Sequence, residues 1–261
     1  YKEGNNIMST RVKERFKKKV AIITGAGQGM GKQIAIDLAA EGAKVVISDI
    51  ISERLDIVKK EINKEGGECL SILCDVSSKK QVDEMIKKTI NAFNSIDILI
   101  NNAGFLTTGT IEETTDELID KTLDINVKGV LYTIRGVTPI MKSKKYGRIV
   151  NVASITGKRG DNTTVFVYGA SKGAVITLTR SVARELGPYG ITVNAIAPHA
   201  ILTKMMSYWD EKKIQSAIEK IPVKRLGTVQ DISYLIMFLA SDEASFITGE
   251  TVNINGGYYM D

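Results

Sequence analysis

Tyr168 and Lys172 stand four residues apart in Tyr168-Gly169-Ala170-Ser171-Lys172, and Ser154 closes an apolar run upstream of them. A phenol, an ammonium and a hydroxyl are the parts of a proton-transfer site. On a helix, residues four apart share a face. A free tyrosine has a pKa of about 10, and to act as a base at neutrality it must fall by about three units, worth about 4 kcal/mol. An ammonium one turn away pushes in that direction. Ser154 could donate a hydrogen bond to an oxygen on which negative charge builds. Taken alone, a Tyr–Lys pair at this spacing is an ordinary solvated surface pair, so the rest of the chain decides its meaning.

A second signal lies near the start. The apolar run Val20 to Ile23 stops at Thr24-Gly25-Ala26-Gly27-Gln28-Gly29-Met30-Gly31, and a helical apolar pattern continues to Ala40. Strand, glycine turn and helix together make a phosphate cradle. Glycine permits the turn and a close backbone approach, and the free N–H groups of a helix's first turn attract an anion. The spacing Thr-Gly-x-x-x-Gly-x-Gly meets G-x-G-x-x-G only loosely. The next strand, Lys44 to Asp49, ends in an acid about twenty residues past the turn, where a carboxylate accepts hydrogen bonds from the adenosine ribose hydroxyls and repels a 2′-phosphate. No arginine directly follows Asp49, and Gln28 is neutral, so NAD is expected over NADP. The plainer alternative for Asp49 is a turn residue at a strand end.

Strands and helices alternate along the chain. Further strands are expected at 70–74, 96–100, 147–153 and 190–196, with a closing strand and turn at 247–257. Helical apolar spacing runs through Leu55, Val58 and Ile62, through Val82 to Phe93, and as one long helix from Leu118 to Met141. It recurs from Ala170 to Leu186, within 205–221 and over 232–240, whereas 157–162 reads as loop. Such alternation predicts a doubly wound parallel sheet with helices on both faces. Ligands of such sheets sit beyond the carboxyl ends of the strands, where Thr24, Asp49, Asp75 and Asn102 all fall. Asn126 lies on the apolar side of the long helix, where its amide must find partners.

The composition is that of an ordinary globular α/β chain: 261 residues, 43% hydrophobic and 25% charged. The net charge of +5 comes from scattered lysines, and the densest basic run, Arg11 to Lys19, reads as a solvated entry segment. Neither nucleic acid nor membrane is an expected partner. Cys69 and Cys74 in an extended strand would be about 17 Å apart, too far for a disulfide, and neither has partners at metal spacing. No metal is expected, and reduced thiols with no export leader fit the cytoplasm. Residues 1–9 read as a loose tail, with Met8 a possible natural start.

Taken in order, Thr24-Gly25-x-x-x-Gly29-x-Gly31, Asp75, Asn101-Asn102-Ala103-Gly104, Asn126, Ser154 and Tyr168-x-x-x-Lys172 closely resemble the short-chain dehydrogenase/reductase family, over about residues 17–258. The resemblance implies a single Rossmann-type doubly wound parallel sheet of about seven strands. With the likeness starting at about Lys17, the expected division is a flexible tail at 1–16 and one binding and catalytic domain at 17–261, with a substrate lid at about 199–222. The resemblance further implies hydride transfer between NAD and an alcohol or ketone, in a homotetramer or dimer built through the two long helices. In this scheme Gly25, Gly29 and Gly31 shape the pyrophosphate turn, flanked by Gln28 and Met30. Asp49 holds the adenosine ribose beside Ile50, and Asp75 with Val76 meets the adenine edge. Asn102, Ala103 and Gly104 line the adenosine side. Pro198 borders the cofactor, and Thr203 approaches the nicotinamide amide. Tyr168 is the acid/base, Lys172 its helper and ribose ligand, Ser154 the carbonyl anchor, and Asn126 the holder of a relay water.

Two departures border the substrate side. His199, the chain's one histidine, follows Pro198 where the family commonly has glycine, and the Ser154–Tyr168 interval is about one residue longer than usual. Met205, Met206, Tyr208 and Trp209 suggest a lid over an apolar pocket, the alternative being a face packed on the core or a neighbour. Phe105, Ile155 and Val165 suggest apolar pocket walls. The main expectation is an NAD(H)-dependent enzyme for a small secondary alcohol or ketone. A 3-oxoacyl thioester reductase, which usually needs NADPH, and a sugar or polyol dehydrogenase stand as alternatives. A non-catalytic NAD-binding sensor is the reading from a different class.

Overall fold

The computed structural model describes residues 14–106, 108–160, 166–203 and 209–261. Their strands form one parallel sheet of seven, β1 (Val20–Thr24), β2 (Lys44–Asp49), β3 (Glu68–Leu73), β4 (Ile98–Asn101), β5 (Gly147–Val152), β6 (Ile191–Pro198) and β7 (Thr251–Ile254). The spatial order is β3-β2-β1-β4-β5-β6-β7. The order reverses between β1 and β4, so a crevice opens there beyond the carboxyl ends, where such sheets bind ligands. The central strands β1, β4, β5 and β6 are buried along their whole length and mostly apolar, as cover on both faces requires. Ala21 and Ile23 face one core while Ile22 faces the other.

The first core is closed by α1 (Gly29–Ala40), α2 (Ser52–Lys64) and α9 (Val229–Leu239), through Ile34, Leu38, Leu55, Val58, Ile232 and Ile236. The second is closed by α3 (Lys79–Phe93), α5 (Gly129–Lys144) and α7 (Phe166–Leu186), through Val82, Met85, Ile134, Val137, Val175 and Leu186. The shorter helices are α4 (Asp116–Leu123), α6 (Thr156–Arg159) and α8 (Glu211–Lys220). No helix among the described residues is long and apolar enough to cross a membrane. Both cysteines are free, and burial pushes the Cys69 thiol up to about 12 and Cys74 to about 11, so both stay protonated at neutral pH.

Four expectations are corrected. The long helix from Leu118 is broken into α4 and α5 by a π turn, Asp124–Lys128, that contains Asn126. Within the expected loop 157–162, residues 157–159 belong instead to the single helical turn α6, whose glycine does a packing job described below, and residues 161 and 162 lie outside the described residues. The closing strand shrinks to the four residues of β7. Finally, the 1–16 tail reaches too far. Phe16 is buried at 1% and its N–H donates to the Glu41 carbonyl, because an aromatic ring at that point completes the first core. Residues 1–13, with Met8, lie outside the described residues.

A buried polar chain crosses the second core beneath the carboxyl ends. Thr133 of α5 donates to Asn101 Oδ1 (2.7 Å), Asn101 Nδ2 to Asn151 Oδ1 (2.9 Å), and Asn151 Nδ2 to Thr179 Oγ1 of α7 (2.9 Å). Thr179 passes its hydroxyl proton to the Val175 carbonyl (2.8 Å). The chain ties two helices and two strands into one register, and every member is satisfied, which is what makes burial of these groups tolerable. Replacing Asn151 by alanine is expected to lower the unfolding free energy by about 2 kcal/mol, because it leaves the Asn101 Nδ2 without its acceptor and the Thr179 Oγ1 without its donor in a dry interior. Urea unfolding followed by circular dichroism measures this; an unchanged midpoint would show the network to be dispensable.

Candidate active site

The site begins at the glycine turn between β1 and α1. A Cβ on Gly31 would stand 2.4 Å from the Gly25 carbonyl oxygen and 2.5 Å from Asn102 Nδ2, and one on Gly25 would stand 2.8 Å from Ala103 Cα. Gly25 also has a φ of +62°, in the left-handed region. These positions therefore exclude any side chain. Gln28 occupies the N-cap of α1 without a side-chain cap, and no acid lies in that first turn. The N–H groups of Gly29, Met30 and Gly31 thus begin a helix that favours an anion at its head. A Cβ on Gly29 would meet the Thr203 side chain at 3.7 Å, so the turn and the segment after β6 lie opposite each other about one methyl group apart.

The turn is clamped from β4. Asn102 Nδ2 donates to the carbonyls of Thr24 (3.0 Å) and Gly25 (2.9 Å), while Thr24 Oγ1 accepts from the N–H groups of Asn102 (3.1 Å) and Ala103 (3.0 Å). The Asn102 side chain is thereby committed to the turn and holds the floor of the cleft. At the end of β2, Asp49 accepts from Gly27 N–H (3.0 Å) through one carboxylate oxygen and from Ile51 N–H (3.2 Å) through the other. Ile50 is 68% exposed beside it. Asp75 accepts from the Ser77 N–H (2.9 Å) and hydroxyl (2.7 Å). Val76 is buried against Gly129 of α5, so only its main chain remains for the adenine contact expected of it. These carboxyl-end positions, with the turn, present the shape and donors that a dinucleotide needs.

On the other side of the crevice, α7 carries Tyr168 and Lys172. Lys172 Nζ is 5.8 Å from the Tyr168 ring centroid and donates to the Val152 carbonyl at the end of β5 (2.7 Å). Burial pushes its amine down to about 8. Ser154, two residues beyond β5, accepts at Oγ from the Thr156 N–H (3.2 Å), which leaves its own proton free for another acceptor. Gly157 explains how Ser154 reaches α7. A Cβ there would stand 2.6 Å from the Lys172 carbonyl carbon, so α6 crosses α7 backbone against backbone.

Asn126 is fully buried in the π turn. Its Oδ1 accepts from Phe105 N–H (2.7 Å), and its Nδ2 donates to the Phe105 carbonyl (2.9 Å) and to Ser171 Oγ (3.0 Å). Ser171 in turn donates to the Tyr168 carbonyl (2.7 Å). A Cβ on Gly104 would lie 3.5 Å from both Asn126 Oδ1 and Lys172 Nζ, so Gly104 keeps these two groups facing one small space. Ser171 is the residue that sequence reasoning passed over. The signal was available, a serine at the i+3 position from the tyrosine on a buried face, but a lone serine there has too many ordinary uses.

Of the other expected positions, Pro198 ends β6. His199 stacks on Tyr258 with ring centroids 3.9 Å apart, and the Arg159 guanidinium lies 5.0 Å from the other residue's ring centroid, that of Tyr258. Ile155 is 1% exposed, so it belongs to the core and not to a pocket wall. Trp209 packs in a small satellite core with Ala200, Ile221 and Leu226. Val165, Met205, Met206 and Tyr208 lie outside the described residues. No cluster of three His, Cys, Asp or Glu side chains among the described residues is placed to hold a metal.

The chain is similar in sequence and fold to known proteins. A family model described as enoyl-(acyl carrier protein) reductase matches residues 25–259. The chain is 40% identical over 243 residues to the 3-oxoacyl-[acyl-carrier-protein] reductase FabG of Staphylococcus epidermidis, covering 93% of this chain and 99% of that one. It is 40% identical over 239 residues to the (2S)-[(R)-hydroxy(phenyl)methyl]succinyl-CoA dehydrogenase subunit BbsD of Thauera aromatica, covering 92% and 96%. The crystal structure of a 3-oxoacyl-[acyl-carrier protein] reductase from Brucella melitensis matches with a TM-score of 0.93 at 32% identity, covering 100% of this chain and 99% of that one.

The buried amine carries a stability cost with a defined sign. The unfolded chain holds the Lys172 proton up to its ordinary value of 10.5, the folded chain only to about 8. Between those values the unfolded state binds more protons, so stability rises with pH there, and the full penalty applies below about pH 8. Lys172→Met is therefore expected to be more stable than the wild type at pH 7, with an advantage that shrinks above about pH 8. Urea unfolding at a series of pH values tests this; a pH-independent difference would mean that the amine is not desolvated.

Proposed function

This chain belongs to the short-chain dehydrogenase/reductase family, and from that premise we propose that it interconverts a 3-hydroxyacyl and a 3-oxoacyl thioester by hydride transfer with NAD(H). The observation that carries the chemistry is the Lys172 amine, buried, tied to Val152 and 5.8 Å from the Tyr168 ring at the mouth of the glycine-turn crevice. The bound coenzyme supplies the ring that accepts or gives hydride. The protein's share is to position the carbinol carbon and to handle one proton. In alcohol oxidation Tyr168 takes the hydroxyl proton; in ketone reduction it returns it. Ser154 donates to the substrate oxygen, which its spare proton allows. Lys172 favours the phenolate. The space between Asn126 and Lys172 suits a relay water, and Asn126 also positions the Tyr168 turn through Ser171.

The coenzyme assignment rests on Asp49. Two backbone N–H groups fix its carboxylate at the end of β2, where a carboxylate can accept from the adenosine ribose hydroxyls and its charge opposes a 2′-phosphate. The thioester assignment rests on relatives, two of which are named for acyl-carrier or CoA thioesters, and this moves it ahead of free, sugar and polyol alcohols. A homotetramer or dimer through α5 and α7, and a lid formed by the segment after Pro198, belong to the same reading.

Acetoacetyl-CoA reduction with NADH, followed at the loss of nicotinamide absorbance, is the direct assay. Tyr168→Phe is expected to lower kcat by about a thousandfold while NADH binding, read by fluorescence, stays within about twofold of wild type. Wild-type turnover in that variant would remove Tyr168 from the mechanism. Absence of turnover with any ketone, despite NADH binding, would favour the sensor reading.

A further inference from the structure

Arg54 sits in the first turn of α2, five residues beyond Asp49, and is half-buried. No ordinary sequence rule joins the two positions. The structure does join them, at the α-carbon of Gly27. A Cβ built on Gly27 would stand 2.7 Å from Asp49 Oδ2 and 2.9 Å from Arg54 Cβ. The carboxylate and the base of the arginine stem therefore flank one point at the adenosine end of the crevice. Glycine at 27 is what leaves room for both. Asp49 is held by the N–H groups of Gly27 and Ile51 (3.0 and 3.2 Å), and Arg54 makes no ion pair or side-chain hydrogen bond with any described residue.

On the reading of this crevice as a dinucleotide site, we infer that Arg54 is a dormant ligand for a 2′-phosphate, masked by Asp49. The ribose hydroxyls fall to the carboxylate. A phosphate at the 2′ position would meet that same carboxylate first and be repelled. The Arg54 side chain starts at the same point and ends in a planar fork suited to phosphate oxygens. With the charge of Asp49 removed, the repulsion goes and the guanidinium remains. Coenzyme choice is thus set by a pair of residues of opposite sign, and the loss of one unmasks the other. The presence of Arg54 also blunts the discrimination of the wild type, because it offsets part of the repulsion that Asp49 exerts.

Calorimetric titration with ADP-ribose and with 2′-phospho-ADP-ribose tests this without turnover. The proteins are the wild type, Asp49→Asn, Arg54→Gln and the double variant. Asparagine keeps an oxygen for the Gly27 N–H, so the turn survives. The wild type is expected to bind ADP-ribose about tenfold tighter, Asp49→Asn to bind the 2′-phosphorylated probe at least as tightly as ADP-ribose, and the double variant to lose about tenfold for the phosphorylated probe alone. Arg54→Lys in the Asp49→Asn background should recover part of that loss. Equal binding of the phosphorylated probe by Asp49→Asn and the double variant overturns the inference. So does an equal loss for both probes, which would mark Arg54 as a stacking or packing residue. Failure of the wild type to bind ADP-ribose at all would overturn the dinucleotide reading as well, and so separates the two failures.

Discussion

Two carbonyls at the end of β1, those of Thr24 and Gly25, are held by one amide from the end of β4. The rest of the cofactor half depends on that clamp. A parallel sheet whose order reverses between β1 and β4 must splay at its carboxyl edge. Left alone, the backbone there would expose unpaired carbonyls inside a crevice, at a cost comparable to lost hydrogen bonds. Asn102 satisfies them and in doing so fixes the glycine turn against Ala103. Thr24 returns the favour by accepting two N–H groups from the β4 side. The floor of the site is thus a reciprocal set of four hydrogen bonds between two strands that are distant in sequence. The helix head beyond it has its direction fixed by that floor.

This explains which parts were legible in the sequence. The doubly wound parallel sheet with helices on both faces follows from alternation of apolar runs and helical periods, and the cradle at the end of β1 follows from the glycine turn. Each of these is a local pattern or a sum of local patterns. Asp49, Ser154, Tyr168 and Lys172 were visible because their chemistry sits at strand ends or at helical spacing. The π turn at Asp124–Lys128 was not visible, since an extra residue per turn leaves the apolar stripe of Leu118 to Met141 nearly intact. Gly157 was read as loop chemistry, whereas its reason is the backbone of α7 one van der Waals contact away. Arg54 was likewise hidden, because its partner is a point in space beside Gly27 and not a position in the chain. Phe16 shows the opposite error: a basic, polar stretch drew attention from one aromatic residue that the core needed.

Within the catalytic half, polar groups are buried in series. The Thr133–Asn101–Asn151–Thr179 chain lies under the strand ends, and the Asn126–Ser171–Tyr168 chain lies beside them. Both terminate on α7. A buried polar network rigidifies only when each member is satisfied, and both series meet that condition through side-chain amides paired with hydroxyls. Helix α7 around Tyr168 and Lys172 is thus positioned by hydrogen bonds from two separate elements, the π turn and β5. Lys172 is the exception that gives these supports their purpose. Its amine is desolvated and has one protein acceptor, the Val152 carbonyl, so it is unfavourable for folding. Such strain persists where the surrounding structure over-determines it, which is where function is found.

The substrate half is built on another principle. His199 and Tyr258 come from the loops after β6 and β7 and Arg159 from the end of α6, and their side chains meet by ring stacking, a guanidinium over a phenol ring and a hydrogen bond from Arg159 Nη2 to the Tyr258 hydroxyl (3.3 Å). An imidazole can replace glycine after Pro198 because Tyr258 offers it a flat partner at 3.9 Å. Packing of this kind accepts other side chains of similar shape at modest cost, whereas the glycine turn accepts none, since even a methyl at Gly31 would strike a carbonyl at 2.4 Å. One half of the crevice is therefore fixed by backbone geometry and the other by exchangeable side chains. That division is the physical reason the coenzyme class can be reasoned from residues alone, while the acyl group cannot be read from the loops and must be inferred from relatives.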